Sequence, residues 1–213
     1  MSIELLILIS ILASAYAMVS AKRMSALIGS FRLQSLLLFL LTFMEAVKGH
    51  YWGLYAVSFL ILGIKVVGIP HFLFRMLREI KVNENLGFLI NPQLSLVASL
   101  IFTYCAWLFA GQVFPAADTV FRAFATIAFS VLLTGMFIMI FRLKALAQII
   151  GLLVMENGIF LLAAATSGGM PFIVEMAIFL DVFVSVIILG LFVYRINELF
   201  TGIDVDQLNR LRG

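Results

Sequence analysis

The stretch GLLVMENGIFLLAAATSGG, residues 151–169, decides how the chain folds. It is apolar from end to end except for Glu156 and Asn157 near its middle. A spanning helix needs roughly 20 predominantly apolar residues. Residues 145–166 meet that length and contain ten Leu, Ile, Val or Phe residues. Each contributes at most about 0.3–0.6 kcal/mol to insertion. Their sum of roughly 3–6 kcal/mol is enough to carry one carboxylate, which costs about 2.5–3.5 kcal/mol at the bilayer centre. The helix can insert, but the balance gives no reason for the acid to be there.

Working outward, the same composition covers the whole chain. Of 213 residues, 64% are hydrophobic and only 12% charged, with a mean hydropathy of +1.18. Soluble domains run nearer one half apolar and one quarter charged, so the fold class is all-α, a polytopic membrane helix bundle. Residues 1–213 read as a single transmembrane domain, because no stretch of soluble composition is long enough to fold apart. About seven transmembrane helices are expected, near 3–21, 25–47, 52–77, 93–113, 117–141, 145–166 and 171–194. Turns such as FPAAD and SGGMP separate them. Pro70, after LGIKVVGI, is expected to kink the third span or end its membrane part. The sequence ILASAYA has cleavage-like spacing of small residues, but Glu4 precedes it and Lys22–Arg23 follows it. It reads as a first transmembrane helix rather than a signal peptide.

Basic residues alternate between the two sides. Lys22 and Arg23, then Arg75, Arg78 and Lys81, then Arg142 and Lys144, and finally Arg195, Arg210 and Arg212 fall in every second connection. The intervening turns hold only Lys48. The positive-inside rule places the N-terminus outside and the C-terminus in the cytoplasm. No basic, aromatic-interleaved surface is present for nucleic acid. Cys105, the one cysteine, excludes an internal disulfide and reads as a small packed hydrophobe. His50 and His71 stand alone in the sequence, so no metal site is assigned.

Three ionisable residues fall near the centres of their spans: Lys65, Glu156 and Asp181. The tight TSGGMP turn makes the last two spans an antiparallel pair. Glu156 and Asp181 then lie at one depth, roughly 18–20 Å from the turn. Two carboxylates in a low dielectric do not both ionise cheaply, so one can exchange a proton near neutral pH. Lys65 opposes that by stabilising a carboxylate. The trio has the make-up of a proton relay, with Asn157 able to fix the chain or hold a water. Glu175, Arg32, Arg122 and His71 rank below it, as interfacial anchors or internal partners. A buried acid–lysine pair that only ties helices together is the bland reading.

The blocks LLVMENGIFLLAAATSGG, VEMAIFLDVFVSVIILG and GIDVDQLNRLRG resemble the hydrogenase-4 component E family, as does FLILGIKVVGIPHF with its lysine five residues before a proline. Residues 131–213, set off from the N-terminal helices of 1–130, are also similar to the K subunit of complex I and the C subunit of multisubunit sodium/proton antiporters. In that wider family a basic lead-in, here FRLKALAQIIGLL, opens a helix with a buried acid. Glu156 lies about one turn beyond the family position, which falls on Leu153, and the second acid is Asp181 rather than a glutamate. The resemblance implies a bacterial or archaeal cytoplasmic membrane and a respiratory complex. Its partners would be large antiporter-like membrane subunits and a peripheral hydrogenase-type redox arm carrying iron–sulfur clusters and a nickel–iron site. This chain itself would bind no cofactor. A purely structural membrane subunit and a stand-alone secondary transporter, with helices broken at Pro70, Gly151 or Gly158, are the alternatives.

Overall fold

The structure is a computed structural model that describes residues 3–49, 52–79 and 90–166, together with residues 184, 187 and 188. The described helices belong to one compact unit. They are α1 (Ile3–Ser20), α2 (Met24–Gly49), α3 (Trp52–Leu60), a π-helical segment π1 (Ile61–Gly68), α4 (Ile69–Glu79), α5 (Pro92–Val113), α6 (Thr119–Phe141) and α7 (Ala145–Thr166). No strand is present among them. Among the described residues, six stretches are long and apolar enough to cross a membrane, with Trp52–Arg78 counted as one. The six match the first six expected spans. The seventh, 171–194, lies outside the described residues, so Asp181 and Glu175 do too.

Local chemistry sets the helix starts. The Asn91 side chain accepts from Gln93 N at 3.4 Å, and Pro92 occupies the first turn, where its missing N–H is harmless. Asp118 caps α6 by accepting from Phe121 N at 2.9 Å. Arg122 holds the preceding turn through the carbonyls of Phe114 and Pro115. This makes it an internal partner of that turn.

Pro70 neither ends nor breaks its span. The chain passes from α3 through π1 into α4 without interruption. Within π1 the backbone bonds reach one residue further, as in Ile69 N–H to Ile64 O. A proline ring in a regular helix collides with the carbonyl four residues back, and it supplies no N–H. The wider turn of a π segment relieves that collision. Gly63 and Gly68 lie within this stretch, and a Cβ on Gly68 would stand 3.2 Å from the Gly63 carbonyl oxygen.

Gly151 and Gly158 do not break α7 either. They are the points where α7 meets α6. A Cβ on Gly151 would lie 2.6 Å from Met139 N, and one on Gly158 would lie 2.6 Å from Leu132 N. From the other side, a Cβ on Gly135 would collide with Met155 N. The three glycines let two backbones approach directly, the usual way membrane helices gain packing where no hydrophobic force acts between them.

The described bundle centres on two helices. α2 touches α1, α3, π1, α4 and α7, while α6 touches α1, α5 and α7. Leu8, Ile11 and Met18 of α1 and Leu27 and Phe31 of α2, two helices in contact, are fully buried. α5 turns Ser95, Ser99, Ala106 and Ala110 inward and presents Leu100, Ile101, Tyr104, Trp107 and Phe109 outward. Its outward face is the apolar one, as befits a helix facing lipid. Cys105 sits on that outer face and is exposed, not packed.

Candidate functional site

Lys65 projects from π1 into the middle of the bundle and is 2% exposed. Its Nζ donates to Asn157 Oδ1 at 2.8 Å and lies 3.8 Å from Glu156 Oε2. Glu156 and Asn157 are consecutive residues of α7, separated by about 100° around the axis, and the ammonium sits between them. Glu156 is 8% exposed and Asn157 2%. The expectation that Lys65 acts on a central carboxylate thus takes a definite form, with Glu156 as that carboxylate.

The polar chain continues beyond the residues the sequence singled out. Asn157 Nδ2 donates to Gln34 Oε1 at 3.1 Å, and Gln34 Nε2 donates to the Ile11 carbonyl at 3.4 Å. Every donor points away from Lys65 toward α1, so the cation and the two amides are aligned head to tail. Aligned hydrogen bonds polarise one another in a low dielectric. The chain therefore links π1, α7, α2 and α1 across the bundle at a single level. Gln34 is fully buried. It went unnoticed because it follows Arg32 in FRLQSL, where a polar residue reads as part of the interface.

The lower-ranked residues lie elsewhere. Arg32 and His71 are exposed and do not join this centre. Arg142, one of the basic residues of the connection between the fifth and sixth spans, is 3% exposed and donates to the Val19 carbonyl. Burial pushes its guanidinium down to about 10, which leaves it a cation at neutral pH. The contact puts the C-terminal ends of α1 and α6 on one side of the bundle. Lys48 and Glu4 pair at the opposite end, joining the end of α2 to the start of α1. Both contacts fit the alternation of the basic connections. Among the described residues, no three His, Cys, Asp or Glu side chains gather as a metal would require.

A buried ammonium against a carboxylate and an amide can hold a proton on either partner of the ion pair, or pass one, depending on the field around it. The chain has relatives among characterised and uncharacterised bacterial proteins. It is 30% identical over 150 residues to hydrogenase-4 component E of Escherichia coli K12, covering 70% of this chain and 69% of that protein. The chain belongs to the hydrogenase-4 component E family. The component E of Shigella flexneri matches to the same extent. An uncharacterized protein of Mycobacterium tuberculosis is 29% identical over 170 residues, covering 79% of this chain and 77% of that protein. No family model matches the chain, and no solved structure does. As a component E chain with six membrane-length apolar helices among the described residues, the protein is a membrane protein.

Proposed function

We propose that this component E is an integral subunit of a hydrogenase-type respiratory complex in a bacterial or archaeal cytoplasmic membrane. In it, the Lys65–Glu156 centre helps couple electron transfer to proton or sodium movement. One observation carries the reading: a lysine and a glutamate 3.8 Å apart, almost fully buried, inside apolar helices. Ionisable groups at such depth are costly, and they mark ion pathways more often than they serve packing. Moving a charge near one partner changes the balance between them, which lets a neighbouring subunit drive the centre from outside.

Asp181 completes the relay in this reading, and Glu175 supports it. The N-terminus lies outside and the C-terminal tail is cytoplasmic. The partners are large antiporter-like membrane subunits and a peripheral redox arm whose own chains carry the iron–sulfur clusters and the nickel–iron site. The similarity of residues 131–213 to the complex I K subunit and the antiporter C subunit belongs to the same proposal.

Two steps test it. Purification from the native membrane with identification of co-purifying chains should recover antiporter-like and nickel–iron-type subunits. Recovery of the chain alone would remove the redox-arm reading. The substitution Glu156→Gln should then leave the complex assembled but lower the ions moved per electron transferred. An assembled variant with full coupling would make the pair a tie between helices and nothing more.

A further inference from the structure

Arg32 lies on the outside of a membrane helix. It is exposed and stands eight residues inside the Met24 end of α2. α2 has 26 residues, about 39 Å, against a hydrocarbon core of about 30 Å, so a centred α2 puts the Arg32 Cα roughly 7–8 Å inside the edge of the core. Charged residues within spans almost always turn toward the bundle interior or a partner charge. Arg32 does neither. It makes no hydrogen bond or ion pair to any described residue, and the same holds for His71 and Arg78, both exposed on α4.

The three residues face one seam. On α2, Arg32, Phe39 and Phe43 share a stripe, within about 40° of one another over three turns. Phe43 meets α3, its ring centroid 5.9 Å from that of Tyr55 and 6.3 Å from that of Phe59, and Phe39 lies 5.7 Å from Phe43. The Arg32 stripe is therefore the flank of α2 that faces the third span, and α2 stays in contact with that span through π1 and α4. Measured from the middle of the buried face, Tyr55 and Phe59 lie about 110° and 150° round α3. Phe74, Arg78 and His71 lie about 100°, 140° and 160° round α4 in the same sense. The edge of the third span that meets Phe43 at one end thus carries His71 and Arg78 at the other.

Depth agrees with direction. Arg32 lies 17 residues before the end of α2 and His71 19 after the start of α3, roughly 26 and 28 Å from the turn between them. Arg78 stands two turns nearer the water on the same stripe as His71. Along the rest of the seam the surface is apolar, with Leu36 36%, Leu40 40% and Phe59 59% exposed. Acidic groups are placed elsewhere: Glu4 and Glu45 pair with Lys48 at the opposite end of the bundle, and Asp118 caps α6. Glu79, the last residue of α4, falls about 100° round from Arg78.

We propose that the seam between α2 and the third span holds an anionic phospholipid of the leaflet at the α4 end. Arg32 and His71 receive its phosphate from the core side and Arg78 from the water side, while its acyl chains lie along Phe39, Phe43 and Phe59. A guanidinium holds a phosphate through paired N–H donors, and an arginine set below the interface reaches it by extending along the helix toward water. Basic recesses between spans are a known way of selecting anionic headgroups. The site stands apart from the relay, and takes from the function proposed above only that this leaflet is the cytoplasmic one.

The test uses the full chain purified in mixed micelles, with native mass spectrometry counting retained lipid as phosphatidylglycerol or phosphatidylcholine is added. Phosphatidylglycerol should fill a single site that phosphatidylcholine does not compete for. Each arginine near an anionic surface contributes about fivefold, so Arg32→Gln combined with Arg78→Gln should weaken that binding by about tenfold or more. Lys22→Gln combined with Arg23→Gln, at exposed bases of the α1–α2 connection, should change it less than about twofold, since both stand more than a screening length from Arg32. Equal losses from the two double variants would overturn the site and leave only diffuse surface charge. Equal binding of the two lipids would overturn it too, as would release of the lipid by glycerol 3-phosphate at matching concentration. Should the Arg32 and Arg78 variant not fold, a high-resolution electron cryo-microscopy map of the unaltered complex decides. Lipid phosphate density against Arg32 supports the site, and a partner polypeptide or an empty seam there removes it.

Discussion

The Lys65–Glu156 pair sets up a double-substitution cycle whose outcome follows from its geometry. At 3.8 Å the charged partners attract by about 4 kcal/mol for an effective dielectric near 20. Lys65→Met removes the cation and strips Asn157 Oδ1 of its donor, leaving the Glu156 carboxylate buried. Breaking one side of a buried pair costs about 3–5 kcal/mol. For a chain of this length each kcal/mol corresponds to about 2–4 °C, so the thermal midpoint should fall by about 6–20 °C. Glu156→Gln should cost less, because the lysine keeps its bond to Asn157. The combined Lys65→Met and Glu156→Gln variant should recover much of the loss, since replacing both partners of a buried pair is often close to neutral. Unfolding of the purified chain in mixed micelles measures all three. A combined loss equal to the sum of the two single losses within about 0.5 kcal/mol would show that the groups act independently. The geometry described for the centre would then be wrong.

Two further outcomes follow from the packing. Gly158→Leu should prevent α6 and α7 from closing, because even a Cβ there would lie 2.6 Å from Leu132 N; loss of folded, detergent-extractable protein measures this, and normal yield and melting would refute it. Gln34→Leu leaves Asn157 Nδ2 without its Gln34 acceptor and should cost about 1–3 kcal/mol in the same unfolding assay; a melting midpoint equal to that of the unaltered chain would refute this.

What the sequence disclosed, and what it hid, follows from how each feature is encoded. Spans are written in runs of apolar residues, so the first six were legible with ends shifted by one or two residues. Lys65 and Glu156 were legible because a charge in such a run has no cheap explanation. Gln34 was hidden by its neutrality and by its place beside Arg32. The burial of Arg142 was not legible, because a basic residue at a span end looks the same in sequence whether it faces water or a carbonyl of α1. The glycines of α7 carried two opposite meanings, break or contact, and only the position of α6 decides between them. LGIKVVGIP announced a disturbance at Pro70 but not its form, since proline excludes a regular turn without choosing its replacement.

That replacement has a bearing on how the chain can change in length. A π segment holds an extra residue within a helix whose flanks keep their own faces, as Ile69, Leu73 and Met76 do on the buried side of α4. Losing one residue between Ile61 and Gly68 would let the stretch close to a regular helix while both flanks stayed in phase. Anywhere else in the six spans, the same loss would rotate everything beyond it by about 100°. Relatives one residue shorter within a span should therefore show the gap at the lysine segment, where it re-aims one cation and leaves the rest of the bundle unmoved.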